Sequence, residues 1–390
     1  MGYFVSRLFV SVKKATIFTG LLISIQLCSI NFAYAVDDKY NDLTLNPVIS
    51  DLPPSWAITI SPDNFLYVSH RGGELAKYSL RGEKVASYHP ELADLYYEGQ
   101  GGLSAIAFHP DFVRTPWIYL SYSYGNNNAN GLKVIRILLS DNEDPANSIL
   151  RQETIYEQSD LRDTAVHYGA RLAFMADGSL LISTGDGFDY RENAQKMTSD
   201  MGKVLRLTDT GRIPKSNPFV SAESPVQKMI YSIGHRNPQA LLVLPNNQVI
   251  AHEHGPAGGD EINIIKPSTN YGWPVITQGR DYIGSLITPF TEYEGMQQPA
   301  FNWTPSIAPS GMVFYNHPNI EPFAYRLLVT SLKFKQLHTL RISNQVIEDE
   351  VVYFANSDYR MRDVAVSNNG RVFILSDGAP AIIFEVVTTI

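Results

Sequence analysis

Short apolar runs alternate with polar turns along most of this chain, and one phrase recurs six times. Each copy is an apolar strand, a turn rich in Pro, Asp, Asn or Gly, and a second apolar strand ending in small polar residues. The copies pair Ala57–Ile60 with Phe65–Val68, Ala105–Phe108 with Trp117–Leu120, and Leu172–Phe174 with Leu180–Ser183. Next come Leu241–Leu244 with Gln248–Ile250, Met312–Tyr315 with Leu327–Thr330, and Val364–Val366 with Val372–Leu375. β-rich runs around turn residues predict hairpins. The copies recur at roughly 48 to 72 residues, room for a four-stranded blade plus loops, a period that belongs to propellers or solenoids. The expected fold is all-β: a six-bladed β-propeller of four-stranded antiparallel sheets, closed into a ring that removes exposed sheet edges. No long amphipathic helical pattern follows the first 35 residues, and no low-complexity linker divides the chain.

Those first residues read differently. Lys13 and Lys14 precede an apolar run from Ala15 to about Ile30, and Ala33-Tyr34-Ala35 follows as a small-x-small cleavage pattern. This predicts a secretory signal peptide over residues 1–35. The run is shorter than the ~20 apolar residues of a membrane span and is broken by Thr16, Thr19, Ser24 and Gln26. Leu27 before Cys28 is too large for a lipoprotein cleavage site. Residues 36–390 are then expected to form one domain, periplasmic or secreted, without stable membrane insertion. Cleavage after Ala35 also removes Cys28, the one cysteine, so neither a disulfide nor a Cys-based site is expected.

The leader holds Arg7, Lys13 and Lys14 and no acid, so its removal takes the formal charge from −8 to −11. Phosphate binding depends on Lys and Arg, so a nucleic-acid partner is not expected. Against that acidic background a local cluster of cations stands out. Gln100-Gly101-Gly102, His167-Tyr168-Gly169-Ala170-Arg171, Gly234-His235-Arg236-Asn237-Pro238-Gln239 and Arg360-Met361-Arg362-Asp363 precede four of the repeats, and Ser331-Leu332-Lys333 follows another. Equivalent positions of different blades converge on one rim of a propeller. A pocket gathering Arg236, Lys333, Arg360 and Arg362 needs anions between the cations, and a small polycarboxylate supplies them. A neutral His167 in such a pocket is a natural base near pH 7. The loop His254–Asn263, with its glycines, Asp260 and Glu261, offers carbonyl and carboxylate oxygens to a hard cation such as calcium; it does not match an EF-hand and by itself reads more readily as a tight turn.

These phrases resemble the soluble quinoprotein glucose dehydrogenases and aldose sugar dehydrogenases of the glucose/sorbosone dehydrogenase family. The resemblance runs in order along nearly the whole chain after the leader. It rests on Gly99–Leu103, Ala107–Phe112, His167 with Arg171-Leu172, Ser183–Gly187, Gly234–Gln239, Gly255-Pro256 with Asp260–Asn263, Asn270–Pro274, Ile307–Gly311, Ser331–Lys333 and Arg360–Val364. Short insertions between repeats place it nearer the aldose sugar dehydrogenase branch. The resemblance implies oxidation of an aldose at C1 to a lactone with pyrroloquinoline quinone (PQQ) and Ca²⁺, electrons passing to an external quinone or cytochrome. It implies that His167 takes the anomeric hydroxyl proton while the C1 hydride passes to C5 of PQQ. Gln100 lies beside cofactor and substrate, Arg236 and Asn237 at the reactive quinone oxygens, and Tyr282 against the cofactor. Lys333, Arg360 and Arg362 hold the PQQ carboxylates. Gly255 and Pro256 ligate the PQQ-bridging calcium through their backbones, and Glu261 and Tyr271 a second, structural one. Calcium then polarises the quinone carbonyl and Arg236 stabilises the charge that develops there.

One departure bears on the chemistry. The glucose dehydrogenases carry an Asp directly before the catalytic His, where this chain has Val166; Asp163 is the nearby candidate to orient His167 instead. No Gly-x-Gly-x-x-Gly lies between a strand and a helix, which argues against a nicotinamide cofactor. Two other readings remain: a calcium-dependent propeller hydrolase such as a lactonase, and a non-catalytic propeller that binds carbohydrate or protein.

Overall fold

The computed structural model describes residues 42–140, 148–343 and 345–389; the leader lies outside the described residues. The chain opens on β1 (Leu43–Leu52). The first blade follows as β2 (Ser55–Ile60), β3 (Leu66–His70), β4 (Leu75–Tyr78) and β5 (Lys84–Tyr88). The second is β6 (Leu103–Phe108), β7 (Trp117–Asn126), β8 (Ala129–Leu139) and β9 (Ile149–Glu157). The third is β10 (Gly169–Phe174), β11 (Leu180–Thr184), β12 (Lys203–Leu207) and β13 (Ile230–Ile233). The fourth is β14 (Pro238–Val243), β15 (Val249–Glu253), β16 (Asp260–Ile265) and, after the two-residue β17 (Thr269–Asn270), β18 (Phe301–Trp303). The fifth is β19 (Pro309–Tyr315), β20 (Arg326–Ser331), β21 (Leu337–Ser343) and β22 (Val346–Tyr353). The sixth is β23 (Met361–Val366), β24 (Val372–Ser376) and β25 (Ala381–Thr388). The sheets form a six-bladed β-propeller, as expected. The six hairpins read from the sequence are the first two strands of the six blades.

Two features of the sheets were not expected. The sixth blade takes its outer strand from the other end of the described chain: β1 pairs antiparallel with β25, from Leu43 opposite Thr388 to Leu52 opposite Ala381. The third blade gains a fifth strand, because β17 adds to β13 in parallel. The first strands of neighbouring blades touch in the order β2, β6, β10, β14, β19, β23 and back to β2, which closes the ring.

The second strands β3, β11, β15 and β24 are buried at every position. Both faces of each are covered by adjacent blades, so their sequences are near-continuous apolar runs and not alternating ones. The core is correspondingly six layers, one between each pair of neighbouring blades. Four of the first hairpins turn identically. Asn64, Gly178, Asn247 and Gly370 take φ of 67°, 80°, 64° and 81° at the same place in the repeat. Only Gly and Asn adopt this left-handed region readily, which explains the recurring Asp-Asn, Asp-Gly, Asn-Asn and Asn-Gly turns.

β1 buries Ile49 and Leu52 in the layer holding Leu66, Phe373 and Ile383. A protein starting after Leu52 would leave β25 as an open edge and that layer uncovered. Such a truncation is expected to lower the melting temperature markedly and to promote aggregation. A truncated protein melting within about 2 °C of the full chain would show that the ring closes without β1.

Candidate functional site

In an antiparallel hairpin the start of the first strand and the end of the second lie at one end. Six hairpins in a ring therefore deliver two sets of residues to one rim. The first blade contributes Trp56 and Arg71, the second Gln100, and the third His167 and Asp186. The fourth gives Arg236, Asn237 and His254, the fifth Ala308 and Lys333, the sixth Arg360 and Asp377. Backbone bonds stitch them together. Gln100 N donates to Ala165 O at 2.8 Å, Asp186 N to Arg236 O at 2.8 Å, His254 N to Asn237 O at 3.3 Å, and Asp377 N to Arg360 O at 2.7 Å.

The rim encloses a cavity of about 480 Å³ whose lining includes Arg71, Lys333, Arg360 and Arg362 but only one carboxylate, Asp377. Asp377 bridges the two later arginines, accepting from Arg360 Nε at 2.9 Å and from Arg362 Nε and Nη2 at 2.9 and 2.8 Å. Burial pushes the Asp377 carboxyl up, but Arg362 and Arg360 outweigh it and hold it below the ordinary value. Arg71, which the sequence reading missed, reaches the carbonyls of Gly99 (2.6 Å) and Gly101 (2.9 Å from Nε). Lys333 forms no ion pair among the described residues. An excess of three positive charges therefore faces one cavity. That fits a guest with several carboxylates, bound by charge-assisted bonds.

Beside this cavity lies His167, 5 % exposed; its partner Gln100 and the next residues, Tyr168 and Gly169, line the wall. Its Nδ1 lies 2.8 Å from Asp186 Oδ1. A carboxylate at Nδ1 fixes the proton there and leaves the Nε2 lone pair free. Asp186 is itself held by Phe188 N–H at 2.8 Å and by the Trp273 indole N–H at 2.8 Å. Asp186, not Asp163, therefore orients His167; Asp163 instead accepts from the Tyr190 hydroxyl at 2.9 Å. Burial pushes the His167 pKa down; the bond to Asp186 opposes this, and Arg236 adds to it. The imidazole is thus kept neutral. The His167 N–H donates to Gln100 Oε1 at 2.8 Å, leaving the Gln100 amide nitrogen as a donor in the cavity wall. His167 sits in left-handed backbone, φ 55°, strain that clusters at functional sites. Gly185 permits it: a Cβ there would stand 1.9 Å from the His167 carbonyl oxygen.

Arg236 was expected among the cations of the main cavity. Its guanidinium instead lines an adjoining cavity of about 270 Å³ with Phe188, Trp273, Pro256 and Tyr282. Its neighbour Asn237 faces the first cavity. Arg236 Nη1 donates to Gly255 O at 2.8 Å, and Nη2 lies 3.4 Å from the Tyr282 hydroxyl. Tyr282 stacks on Phe188, whose ring meets His167 edge-on at 5.2 Å. Two buried donors, Arg236 Nε and Asn237 Nδ2, have no acceptor among the described residues. Buried donors are normally paired, so these fit an acceptor brought by a guest.

The expected cation ligands fall into two groups. Gly255 and Pro256 lie beside Arg236. The Gly255 carbonyl keeps a second lone pair beyond its bond to Arg236, and the Pro256 carbonyl accepts no bond among the described residues. The neighbouring Asp260 carboxylate is engaged with Gly255 N–H (2.9 Å), the Ser306 hydroxyl (2.6 Å) and Ala308 N–H (2.8 Å), so a cation on these carbonyls needs further ligands from the guest. The second group lies on β15 and β16, where Glu253 and Glu261 are directly opposite. Facing like charges destabilise a sheet. Burial pushes the Glu261 carboxyl up to about 8, with Glu253 adding to it. Asn263 donates to both carboxylates while its buried Oδ1 has no partner among the described residues. This oxygen-rich set fits a hard cation. The Tyr271 phenol is engaged with Ile264 O (2.6 Å) and Lys266 N (2.8 Å) and stacks on His235, so Tyr271 can offer only its carbonyl.

A family model described as glucose/sorbosone dehydrogenase matches residues 52–385. An aldose sugar dehydrogenase of Escherichia coli K12 is 35 % identical over 328 residues, covering 83 % of this chain and 86 % of that one. Quinoprotein glucose dehydrogenase B of Acinetobacter calcoaceticus is 27 % identical over 419 residues, covering 85 % of each. The crystal structure of the soluble aldose sugar dehydrogenase from Escherichia coli in its apo form superposes with a TM-score of 0.83 at 33 % identity, covering 89 % of this chain and 99 % of that one. The chain belongs to the glucose/sorbosone dehydrogenase family.

Proposed function

We infer that this protein oxidises an aldose at C1 to the lactone with PQQ and Ca²⁺, passing electrons to an external quinone or cytochrome. The observation that carries this reading is the excess of three cations around one cavity beside a neutral, aspartate-oriented histidine. A calcium-dependent lactonase does not need the cluster of Lys333, Arg360 and Arg362, and in a purely binding propeller His167 and Lys333 would be dispensable. The family relatives named as aldose sugar dehydrogenase and quinoprotein glucose dehydrogenase support it further.

Bound PQQ supplies the two-electron acceptor for the C1 hydride. Lys333, Arg360 and Arg362, with Arg71 behind them, hold its carboxylates. Arg236 Nε and Asn237 Nδ2 would serve as donors to the quinone end of the cofactor, and the Gly255 and Pro256 carbonyls would hold a calcium ion, which supplies Lewis-acid polarisation. His167 Nε2 takes the proton of the anomeric hydroxyl, and Asp186 stabilises the imidazolium that results. Gln100 positions His167 through its backbone and directs its amide into the cavity. Phe188 and Tyr282 wall the entrance to the adjoining cavity, where the sugar ring meets apolar faces. Glu261, with the Tyr271 carbonyl, holds a second, structural calcium. Export behind a signal peptide cleaved after Ala35 places the enzyme in the periplasm or outside the cell. Among the described residues no helix is long and apolar enough to cross a membrane.

The direct test adds PQQ and Ca²⁺ to purified apoprotein and follows dye reduction across a panel of aldoses. Turnover with at least one aldose is expected; none with any sugar rejects the reading. His167→Ala is expected to bind PQQ as tightly as the parent while kcat falls about 10²- to 10⁴-fold. A loss of only a few-fold would remove His167 from the base role. Arg360→Ala combined with Arg362→Ala is expected to weaken PQQ binding at least ~10-fold, read by fluorescence titration. Unchanged affinity would place the carboxylates elsewhere.

The structural cation is tested by thermal melting. Ca²⁺ at about a hundredfold over its Kd is expected to stabilise the apoprotein by about 2.7 kcal/mol. Glu261→Gln is expected to abolish that response. An equal Ca²⁺-dependent shift in both proteins would move the site away from Glu261.

A further inference from the structure

Arg162 lies outside every role described so far. It is 1 % exposed and forms no ion pair among the described residues. Its Nη1 donates to Gln158 Oε1 at 3.1 Å, while Nε and Nη2 have no hydrogen-bond partner among the described residues. Its backbone is fixed by paired bonds with Asn130, at 3.0 and 2.8 Å. Guanidinium groups stay protonated in proteins, so this is a buried charge with no carboxylate in hydrogen-bond contact; Asp186 and Asp200 attract it only at longer range. That arrangement is strongly destabilising, and a cation–π contact offsets only part of it.

Its position suggests what it does. The guanidinium lies 4.3 Å over the ring of Tyr168, the residue after His167. Its Cδ lies where a Cβ on Gly187, the residue after Asp186, would come within 2.6 Å. Arg162 thus packs against the chain neighbours of both members of the His167–Asp186 pair, from the protein side. It belongs to the lining of neither cavity, and it is 1 % exposed.

We propose that Arg162 is a positioning residue of this site: a buried cation behind the His167–Asp186 pair that biases His167 toward its neutral, proton-accepting form. The role rests on the reading of His167 as the base. A charge in a low-dielectric interior acts over several ångströms without contact. The charged and titratable groups around His167 are Asp186, which favours the imidazolium, and Arg236, Arg162 and His254, which disfavour it when charged; Gln100, Tyr168 and Phe188 are neutral. Burial is the largest influence on His167, and Arg236 and Arg162 act in the same direction against Asp186. Removing Arg162 therefore raises the pH at which His167 takes up a second proton.

The test reads His167 directly by NMR titration of the apoprotein, its imidazole signals assigned by their loss in His167→Ala. Arg162→Met is expected to raise the His167 midpoint, and Arg162→Lys, which keeps the charge, to leave it near the parent value. Should Arg162→Met not fold, Arg162→Gln is read in the same way. In the enzyme loaded with PQQ and Ca²⁺, the acid limb of kcat/KM is expected to move upward by the same interval in the neutral variant and not in Arg162→Lys. A folded neutral variant whose His167 midpoint stays within about 0.2 unit of the parent overturns the proposal and leaves Arg162 a packing residue. If His167→Ala keeps its turnover, the base assignment fails, while the apoprotein titration still decides the charge coupling.

Discussion

Antiparallel pairing fixes where each hairpin's ends go, and ring closure fixes where the hairpins go. From these two constraints the site follows. A residue just before the first strand of a blade and one just after the second must meet at the same rim. The ring then sets the six pairs side by side. His167 and Asp186, nineteen positions apart, become hydrogen-bonded neighbours. Arg360 and Asp377 become an ion pair in the same way. Inter-blade packing makes this geometry stiff, because every second strand is sandwiched between neighbouring blades. A site built on strand ends in such a frame keeps its donors in place without a guest.

Within that frame, the electrostatics divides the site into two ends. Arg71, Lys333, Arg360 and Arg362 face a single carboxylate at one end, a concentration of like charge that a bound polyanion relieves. At the other end the charges are arranged around one imidazole. Asp186 sets its tautomer, while burial and the flanking arginines oppose its protonation. Strain and close packing contribute as well: His167 holds a left-handed backbone against Gly185, where no side chain fits. The cluster of Glu253, Glu261 and Asn263 follows the same logic with opposite sign, oxygens gathered where a cation resolves their repulsion.

The six hairpins were legible because apolar runs around Asn- and Gly-bearing turns carry a local signal. β1 was not. Its burial alternates, and its partner β25 lies more than three hundred residues away, so nothing local marks it as the outer strand of the sixth blade. The addition of β17 to β13 is likewise a tertiary event between two short segments. The residues before the repeats, Gln100, His167, Asn237 and Arg360, were found by their shared offset. Arg71, Asp186 and Asp377 were missed because they follow the second strand, and that offset was read only at Lys333. Asp186 lay inside a phrase already noted, Ser183–Gly187, and the same rule applied to both ends of each hairpin would have chosen it over Asp163. Arg236 was correctly placed at the rim, but which cavity its guanidinium enters depends on its bond to Gly255, which the sequence does not disclose.

The account stands on one cavity receiving a polycarboxylate with its reactive end toward His167. A crystal structure of the protein grown with PQQ and Ca²⁺ tests this most directly. The account predicts carboxylates against Lys333, Arg360 and Arg362, quinone oxygens within hydrogen-bond distance of Arg236 and Asn237, and a calcium on the Gly255 and Pro256 carbonyls. PQQ bound with its carboxylates away from these cations, or on another face of the ring, would contradict it.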